Sequence, residues 1–119
     1  MVLIAYQYLL SIVPQQKKIL ANDVYEPDTI NFVISNCAKG DVVHAGAYFG
    51  DFLPAFSKAL TLESQVWAFE PIQENYFCTR KTLEINRVSN VVLTNAGLGA
   101  TEENLQMLTV EAGGFSWWG

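Results

Sequence analysis

Histidine and cysteine are scarce in this sequence. Its 119 residues include one histidine, His44, and two cysteines, Cys37 and Cys78, which lie far apart and without the spacing of a metal site. A zinc site needs about four nitrogen or sulfur ligands, so no metal is predicted. The cysteines are interpreted as free thiols in a reducing compartment, which predicts a cytoplasmic protein.

Basic residues are also few. Seven lysines and arginines stand against twelve acidic residues, which gives a formal net charge of −5. The basic residues form no stripe, and they cluster no further than the pairs Lys17-Lys18 and Arg80-Lys81. Attraction to phosphates supplies most of the non-specific affinity for nucleic acids. The sequence therefore predicts no nucleic-acid partner.

The apolar segment at residues 1–13 is too short to cross a bilayer. It is uncharged, ends before Pro14, and lacks both the positive region and the cleavage site of a signal peptide. We expect a packed helix that is covered by the rest of the protein or by a partner, and no membrane attachment. Together with the terminal aromatics Phe115, Trp117 and Trp118, this segment is a candidate surface for homo-oligomers.

The sequence offers no candidate for covalent catalysis. No serine or cysteine lies in a nucleophile elbow, and no pair of carboxylates has the pattern of a glycoside hydrolase. An activity of this chain would therefore have to use a different chemistry.

What the sequence does contain is a series of apolar runs separated by helical patterns. Strands are predicted at 42–45, 66–69 and 91–95, with a possible further strand at 105–110. Helices are predicted from Pro27 to about Asn36, at 51–60 and at 73–86. Strands that alternate with helices of this length indicate right-handed crossovers and a parallel sheet. A ligand is then expected at the carboxyl ends of the strands.

Two of these strands end in residues that suit a ribose. The first leads into the turn Gly46-Ala-Tyr-Phe-Gly50, and the second ends at Glu70-Pro71. Glycines let a turn lie close against a ligand, and a carboxylate accepts hydrogen bonds from ribose hydroxyls. The glycines do not follow the G-x-G-x-x-G pattern, and Tyr48 and Phe49 would crowd a pyrophosphate. A ligand without phosphates, such as S-adenosylmethionine, suits the turn better than a dinucleotide.

Four ordered blocks resemble the FkbM-type methyltransferases of the class I S-adenosylmethionine-dependent superfamily. They cover about half of the chain, from Gly40 to about Gly99. The blocks read Gly-Asp-Val-Val-His-Ala-Gly-Ala-Tyr-Phe-Gly-Asp-Phe, Val-Trp-Ala-Phe-Glu-Pro, Glu74-Asn-Tyr76 through Glu84-Ile-Asn86, and Asn90-Val-Val-Leu-Thr-Asn-Ala-Gly-Leu-Gly99. The resemblance implies a Rossmann-like three-layer α/β fold with a parallel sheet, of which this chain would supply about three to four strands.

The resemblance also implies a cofactor site and an activity. The turn from Gly46 to Gly50 would wrap the methionine end of S-adenosylmethionine, Glu70 would hold the ribose, and the turn at Asn95 would lie near the adenine. The predicted cofactor-binding residues are His44, Gly46, Ala47, Tyr48, Phe49, Gly50, Glu70, Pro71, Asn95, Ala96 and Gly97. The implied reaction is O-methylation of a hydroxyl on a sugar or a secondary metabolite, and no catalytic residue is identified.

Two positions depart from the family pattern. The family usually has an acid where His44 stands, and a glycine or an asparagine where Tyr48 stands. Several singled-out residues also have simpler interpretations: Glu70 and Asp51 as helix caps, His44 as a structural residue of the strand, and Tyr48 as a packing residue of the turn.

Residues 1–119 are interpreted as one domain, with 1–39 as an N-terminal helical segment. The chain is expected to be a fragment of a longer methyltransferase, because it has too few strands for the family's domain; a short complete α/β domain is the alternative. Two other functions remain open. One is a dinucleotide-dependent oxidoreductase fragment, and the other is a non-catalytic interaction module that uses the apolar termini.

Overall fold

The computed structural model describes residues 26–37, 39–110 and 115–118. In chain order the elements are α1 (Pro27–Asn36), β1 (Val42–Ala45), α2 (Leu53–Ala59), β2 (Val66–Phe69), α3 (Gln73–Ile85), β3 (Val91–Thr94), β4 (Met107–Val110) and β5 (Phe115–Trp118). The alternation of strands and helices that the sequence predicts is confirmed from α1 to β3.

The first three strands form a parallel sheet in the order β1-β2-β3. Two rows of residues run across it in register: Val42, Val66 and Val91 on one face, and Val43, Trp67 and Val92 on the other. Because parallel strands all point the same way, their carboxyl ends meet at one edge of the sheet. The α/β class with an incomplete parallel sheet is thereby confirmed.

The core lies between the helices and one face of this sheet. Val42, Val66 and Ala68 of the strands are buried there against Leu53 and Phe56 of α2. These side chains alternate with outward ones along each strand, as the two-residue period of a strand requires. The apolar residues of α2 that face the strands are therefore what fixes the helix on the sheet.

The opposite face of the sheet is less covered by the described residues. Val43 is 63% exposed, and Trp67 and Val92 are each 38% exposed. The Trp67 indole N–H donates to a carboxylate oxygen of Asp41 at 2.8 Å. Parallel sheets normally bury both faces, so this row is an unusual feature of the described part of the chain.

The fourth strand departs from a simple continuation of the parallel sheet. β4 pairs antiparallel with β5, a strand that the sequence interpretation did not anticipate, and the two form a separate sheet. Gly113 and Gly114 in the intervening sequence are a hairpin signal, which explains antiparallel pairing between neighbours in the chain. Three strands, the lower end of the expected range, thus belong to the parallel sheet.

The predictions for the apolar termini lie outside the described structure. Residues 1–25, with the expected helix at 1–13, are not among the described residues, and neither are the side chains of Phe115, Trp117 and Trp118. In the part of the chain that is described, no helix combines the length and the apolar character needed to cross a membrane.

Candidate functional site

The turn after β1 lies directly against the end of β2. The carbonyl oxygen of Phe69 accepts hydrogen bonds from the backbone N–H groups of Gly46, at 2.8 Å, and Ala47, at 2.9 Å. The N–H of Tyr48 donates to the Glu70 carboxylate at 2.7 Å. The glycine turn and the acidic residue, which the sequence places twenty positions apart, are therefore in contact.

Three residues of this turn have a left-handed backbone. The φ angles are 79° at Gly46, 56° at Tyr48 and 84° at Gly50. Glycine tolerates this region, but a residue with a Cβ is strained there. Since asparagine and glycine tolerate this region best, tyrosine is an unfavourable residue for the conformation at position 48.

The two glycines have different surroundings. A Cβ added at Gly46 would have no atom within 4 Å, whereas one added at Gly50 would lie 3.1 Å from Cγ2 of Thr79. Gly46 is therefore the part of the turn that is open to a ligand, and Gly50 permits the close approach of the turn to α3.

The side chains between the two glycines differ in burial. Ala47 and Phe49 are buried, and Phe49 has no exposed surface. Tyr48 is half-buried, and its ring lies 4.8 Å from the ring of Phe49. Burial raises the pKa of the Tyr48 phenol, and the carboxylates of Asp51 and Glu70 raise it further, so the phenol is neutral at pH 7.

Glu70 is buried and already has several partners. Besides Tyr48, the N–H of Ile72 donates to its other carboxylate oxygen at 2.9 Å, and the Asn75 side chain lies near enough to lower its pKa. Ile72 precedes the first turn of α3, so this contact resembles the helix cap considered from the sequence. Burial raises the pKa of Glu70, although the bonds from Ile72, Tyr48 and Asn75 lower it.

The third turn is attached to the second by Asn95. Its side-chain amide donates to the carbonyl oxygens of Glu70, at 2.8 Å, and Pro71, at 3.2 Å. Ala96 and Gly97 follow it and are partly buried. The three turns predicted from the sequence thus meet at the carboxyl edge of the sheet.

His44 lies in β1, two positions before Gly46. Its ring packs against Phe52, at 5.8 Å between centroids, and Phe56, at 5.3 Å. Burial lowers its pKa, so the imidazole is predominantly neutral at pH 7. These contacts match the structural interpretation of His44, while its contact with a cofactor stays a prediction.

Asp51 follows the turn and is partly buried. Burial raises the pKa of its carboxyl to about 6, and Glu26 raises it further, although hydrogen bonds from the N–H groups of Asp51 and Phe52 lower it. Among the residues that the structure describes, no group of three or more histidine, cysteine, aspartate or glutamate side chains could hold a metal ion.

Sequence interpretation missed three polar residues of the site, Asn75, Thr79 and Thr82 of α3. All are buried, and the two threonine hydroxyls donate to carbonyl oxygens of the turn after β1. Their spacing of four and three places them on one face of the helix. Polar residues at helical spacing opposite a glycine turn were the signal available in the sequence.

A cavity of about 390 Å³ lies elsewhere, at the amino edge of the sheet. Ser57, Lys58, Arg87 and Asn90 are among the residues that line it. The Asn90 side chain donates to the Ser57 carbonyl oxygen at 3.1 Å and so joins α2 to the start of β3. This cavity does not coincide with the three turns.

Solved structures with the same fold are methyltransferases. A tRNA (m1A58) methyltransferase from Aquifex aeolicus matches with a TM-score of 0.57 at 22% identity, over 82% of this chain and 38% of its own. A candidate rRNA methylase from Clostridium thermocellum matches with a TM-score of 0.56 at 16% identity, over 74% and 43%. A SAM-dependent methyltransferase from Aquifex aeolicus matches with a TM-score of 0.52 at 18% identity, over 70% and 47%.

These likenesses establish the Rossmann-like methyltransferase fold. The chain spans less than half the length of the solved structures just named. No protein-family model matches the sequence. No curated protein matches it either.

One prediction from the charge distribution is wrong. The exclusion of nucleic acid does not hold, because two proteins with this fold are named as an rRNA methylase and a tRNA methyltransferase. The net charge of −5 is a sum over the chain, whereas a nucleic acid is bound by the local surface around a site. The net charge of the chain therefore does not show whether its partner is a nucleic acid.

Proposed function

We propose that this chain is the cofactor-binding part of a methyltransferase that uses S-adenosylmethionine. The observation that carries the proposal is the meeting of the turns at Gly46, Glu70 and Asn95 at one edge of a sheet with the methyltransferase fold. The name of one neighbour, a SAM-dependent methyltransferase, supports the same cofactor.

The residues present fit an adenosyl ligand without phosphates. Gly46 offers bare backbone with open space before it, and the neighbouring Glu70 provides a carboxylate. A carboxylate has about four acceptor positions. Tyr48 and Ile72 each use one position, on different oxygens, so acceptor positions remain for ribose hydroxyls.

The proposed reaction is methylation of a hydroxyl on a sugar or a secondary metabolite. The resemblance to FkbM-type methyltransferases supports this acceptor, and a candidate O-methyltransferase from Klebsiella pneumoniae with a TM-score of 0.52 supports transfer to an oxygen. S-adenosylmethionine, held by the turns at Gly46, Glu70 and Asn95, would supply the methyl group to the acceptor oxygen and leave as S-adenosylhomocysteine, and the hydroxyl proton would pass to water. Alignment of these atoms supplies much of the acceleration, so no covalent intermediate with the protein is needed.

Calorimetric titration with S-adenosylhomocysteine, S-adenosylmethionine and NAD tests the proposed cofactor. We expect the first two ligands to bind and NAD to be ignored. Binding of NAD alone would instead favour the dinucleotide-dependent oxidoreductase. Binding of none of the three would contradict a cofactor site on this chain.

The matched pair Gly46→Leu and Leu62→Ala locates the site. Leu62 is fully exposed and lies away from the three turns, so Leu62→Ala should leave binding unchanged. A side chain at Gly46 would project into the open space before the turn and should abolish binding. A cytoplasmic location stays a prediction that fractionation of cells would check.

A further inference from the structure

We propose that Thr79 and Thr82 are positioning residues, which hold the turn of residues 46–50 in the shape that binds the cofactor. This inference rests on the proposed function. The Thr79 hydroxyl donates to the carbonyl oxygen of Tyr48 at 2.6 Å, and the Thr82 hydroxyl donates to that of Phe49 at 2.8 Å. Both threonines have no exposed surface, so water cannot replace either hydroxyl.

The Thr79 hydroxyl has a choice of acceptors. It also lies 2.9 Å from the carbonyl oxygen of Asn75, the residue four positions earlier in α3. A threonine inside a helix commonly donates to that earlier carbonyl. The hydroxyl carries a single proton, and the shorter distance is to Tyr48. The Thr79 hydroxyl therefore donates to the turn and not to the carbonyl of its own helix.

The contact matters because Tyr48 is held in a strained conformation. Its φ angle of 56° is unfavourable for a residue with a side chain. Its N–H donates to Glu70, and its carbonyl oxygen accepts from Thr79. Both backbone polar groups of the residue are therefore fixed by side chains from two other elements. The N–H and the carbonyl belong to the two peptide planes on either side of Tyr48, so removal of one partner frees the plane that this partner held.

The turn cannot accommodate a loss by moving closer to the helix. Gly50 packs so closely on α3 that Thr79 and Thr82 lie at contact distance from the site of a Cβ. A rotation of peptides within the turn is a change of shape that needs no closer approach to the helix. Such a rotation would change the backbone presented to a ligand at Gly46.

The test compares substitutions that differ in the hydroxyl. Thr79→Val and Thr82→Val keep the shape and remove the donor, Thr79→Ser keeps the donor, and Thr29→Val on an exposed position of α1 is the control. Affinity for S-adenosylhomocysteine is measured below the thermal midpoint of every variant. Amide exchange of Tyr48 and of Val66 in β2 is followed by NMR.

We expect each valine variant to weaken binding about tenfold, the effect of one hydrogen bond. Exchange at the Tyr48 amide should accelerate by a similar factor while Val66 is unchanged. Thr79→Ser should keep the wild-type affinity and the wild-type exchange at Tyr48. Thr29→Val should alter neither quantity. If Thr79→Val does not fold, Thr82→Val is read by the same two measurements.

Two results would overturn the inference. One is a folded valine variant with wild-type affinity and wild-type exchange at Tyr48, and the other is an equal loss in Thr79→Ser. A wild-type chain that binds no S-adenosylhomocysteine would contradict the proposed function instead. The exchange at Tyr48 would then still decide whether the threonines fix the turn.

Discussion

The two glycines of the first turn provide a controlled comparison, because they share a backbone conformation and differ in their surroundings. Their φ angles are 79° at Gly46 and 84° at Gly50. A left-handed alanine costs about 1 kcal/mol relative to glycine, and this cost should be common to Gly46→Ala and Gly50→Ala. Only at Gly50 does the added Cβ meet another atom, Cγ2 of Thr79 at 3.1 Å.

The added overlap should make Gly50→Ala the more damaging substitution. Overpacking in a buried site costs about 1–3 kcal/mol. We therefore expect the free energy of unfolding to fall by about 1 kcal/mol for Gly46→Ala and by about 2–4 kcal/mol for Gly50→Ala. Urea denaturation measures both values, provided that the slopes against denaturant agree.

Thr79→Ser supplies the internal check, because it removes Cγ2 and keeps the hydroxyl. In the Gly50→Ala background it should recover part of the loss, since Cα of Thr79 and Cβ of Thr82 still lie 3.4 Å away. Equal losses at the two glycines, or no recovery with Thr79→Ser, would refute the close approach of the turn to α3.

Two further predictions concern the same turn. The pKa of Asp51 is raised to about 6 in the folded chain, from 3.8, so the folded state holds a proton that the unfolded state has lost between about pH 4 and pH 6. Asp51 should lower the stability by at most about 3 kcal/mol as the pH rises through that window, and Asp51→Asn should remove this contribution in denaturation curves taken at several pH values. The raised pKa of Glu70 gives a fall of the same sign, which the variant keeps. At position 48, asparagine suits the left-handed backbone better than alanine. The free energy of unfolding of Tyr48→Asn should therefore be about 1 kcal/mol higher than that of Tyr48→Ala. An equal or lower value for the asparagine variant would argue against strain at this residue.

The course of the chain through the parallel sheet was predictable because its signals are local. The apolar runs at Val42 and Val66 have the length of strands, and the intervening segments have helical periodicity. The rule that ligands lie at the carboxyl ends of parallel strands then placed Gly46 beside Glu70, and the 2.7 Å contact between Tyr48 and Glu70 is its result.

The contacts that fix the turn were not predictable in the same way. On a helix, residues such as Asn75, Thr79 and Thr82 are usually exposed, and only tertiary packing brings their face against the turn. The burial of Phe49 has the same origin, because its position in the sequence is equally compatible with a ligand-lining residue. The antiparallel pair β4 and β5 joins two strands that follow each other in the chain, and the crossover pattern that organises the preceding strands does not predict it.

The hydrogen bonds of Glu70 connect ligand binding to the shape of the turn. The carboxylate is buried, and the donors from Tyr48, Ile72 and Asn75 offset part of the resulting cost of its charge. Each oxygen of the carboxylate already accepts one backbone N–H, so the hydroxyls of a bound ribose would share the oxygens with Tyr48 and Ile72 and compete with them. Ile72 is fixed at the start of α3, which makes Tyr48 the backbone donor in the more adaptable segment. When that N–H is released, the carbonyl of the same residue is still held by Thr79. The helix thereby provides a second attachment for the turn that does not compete with the ligand.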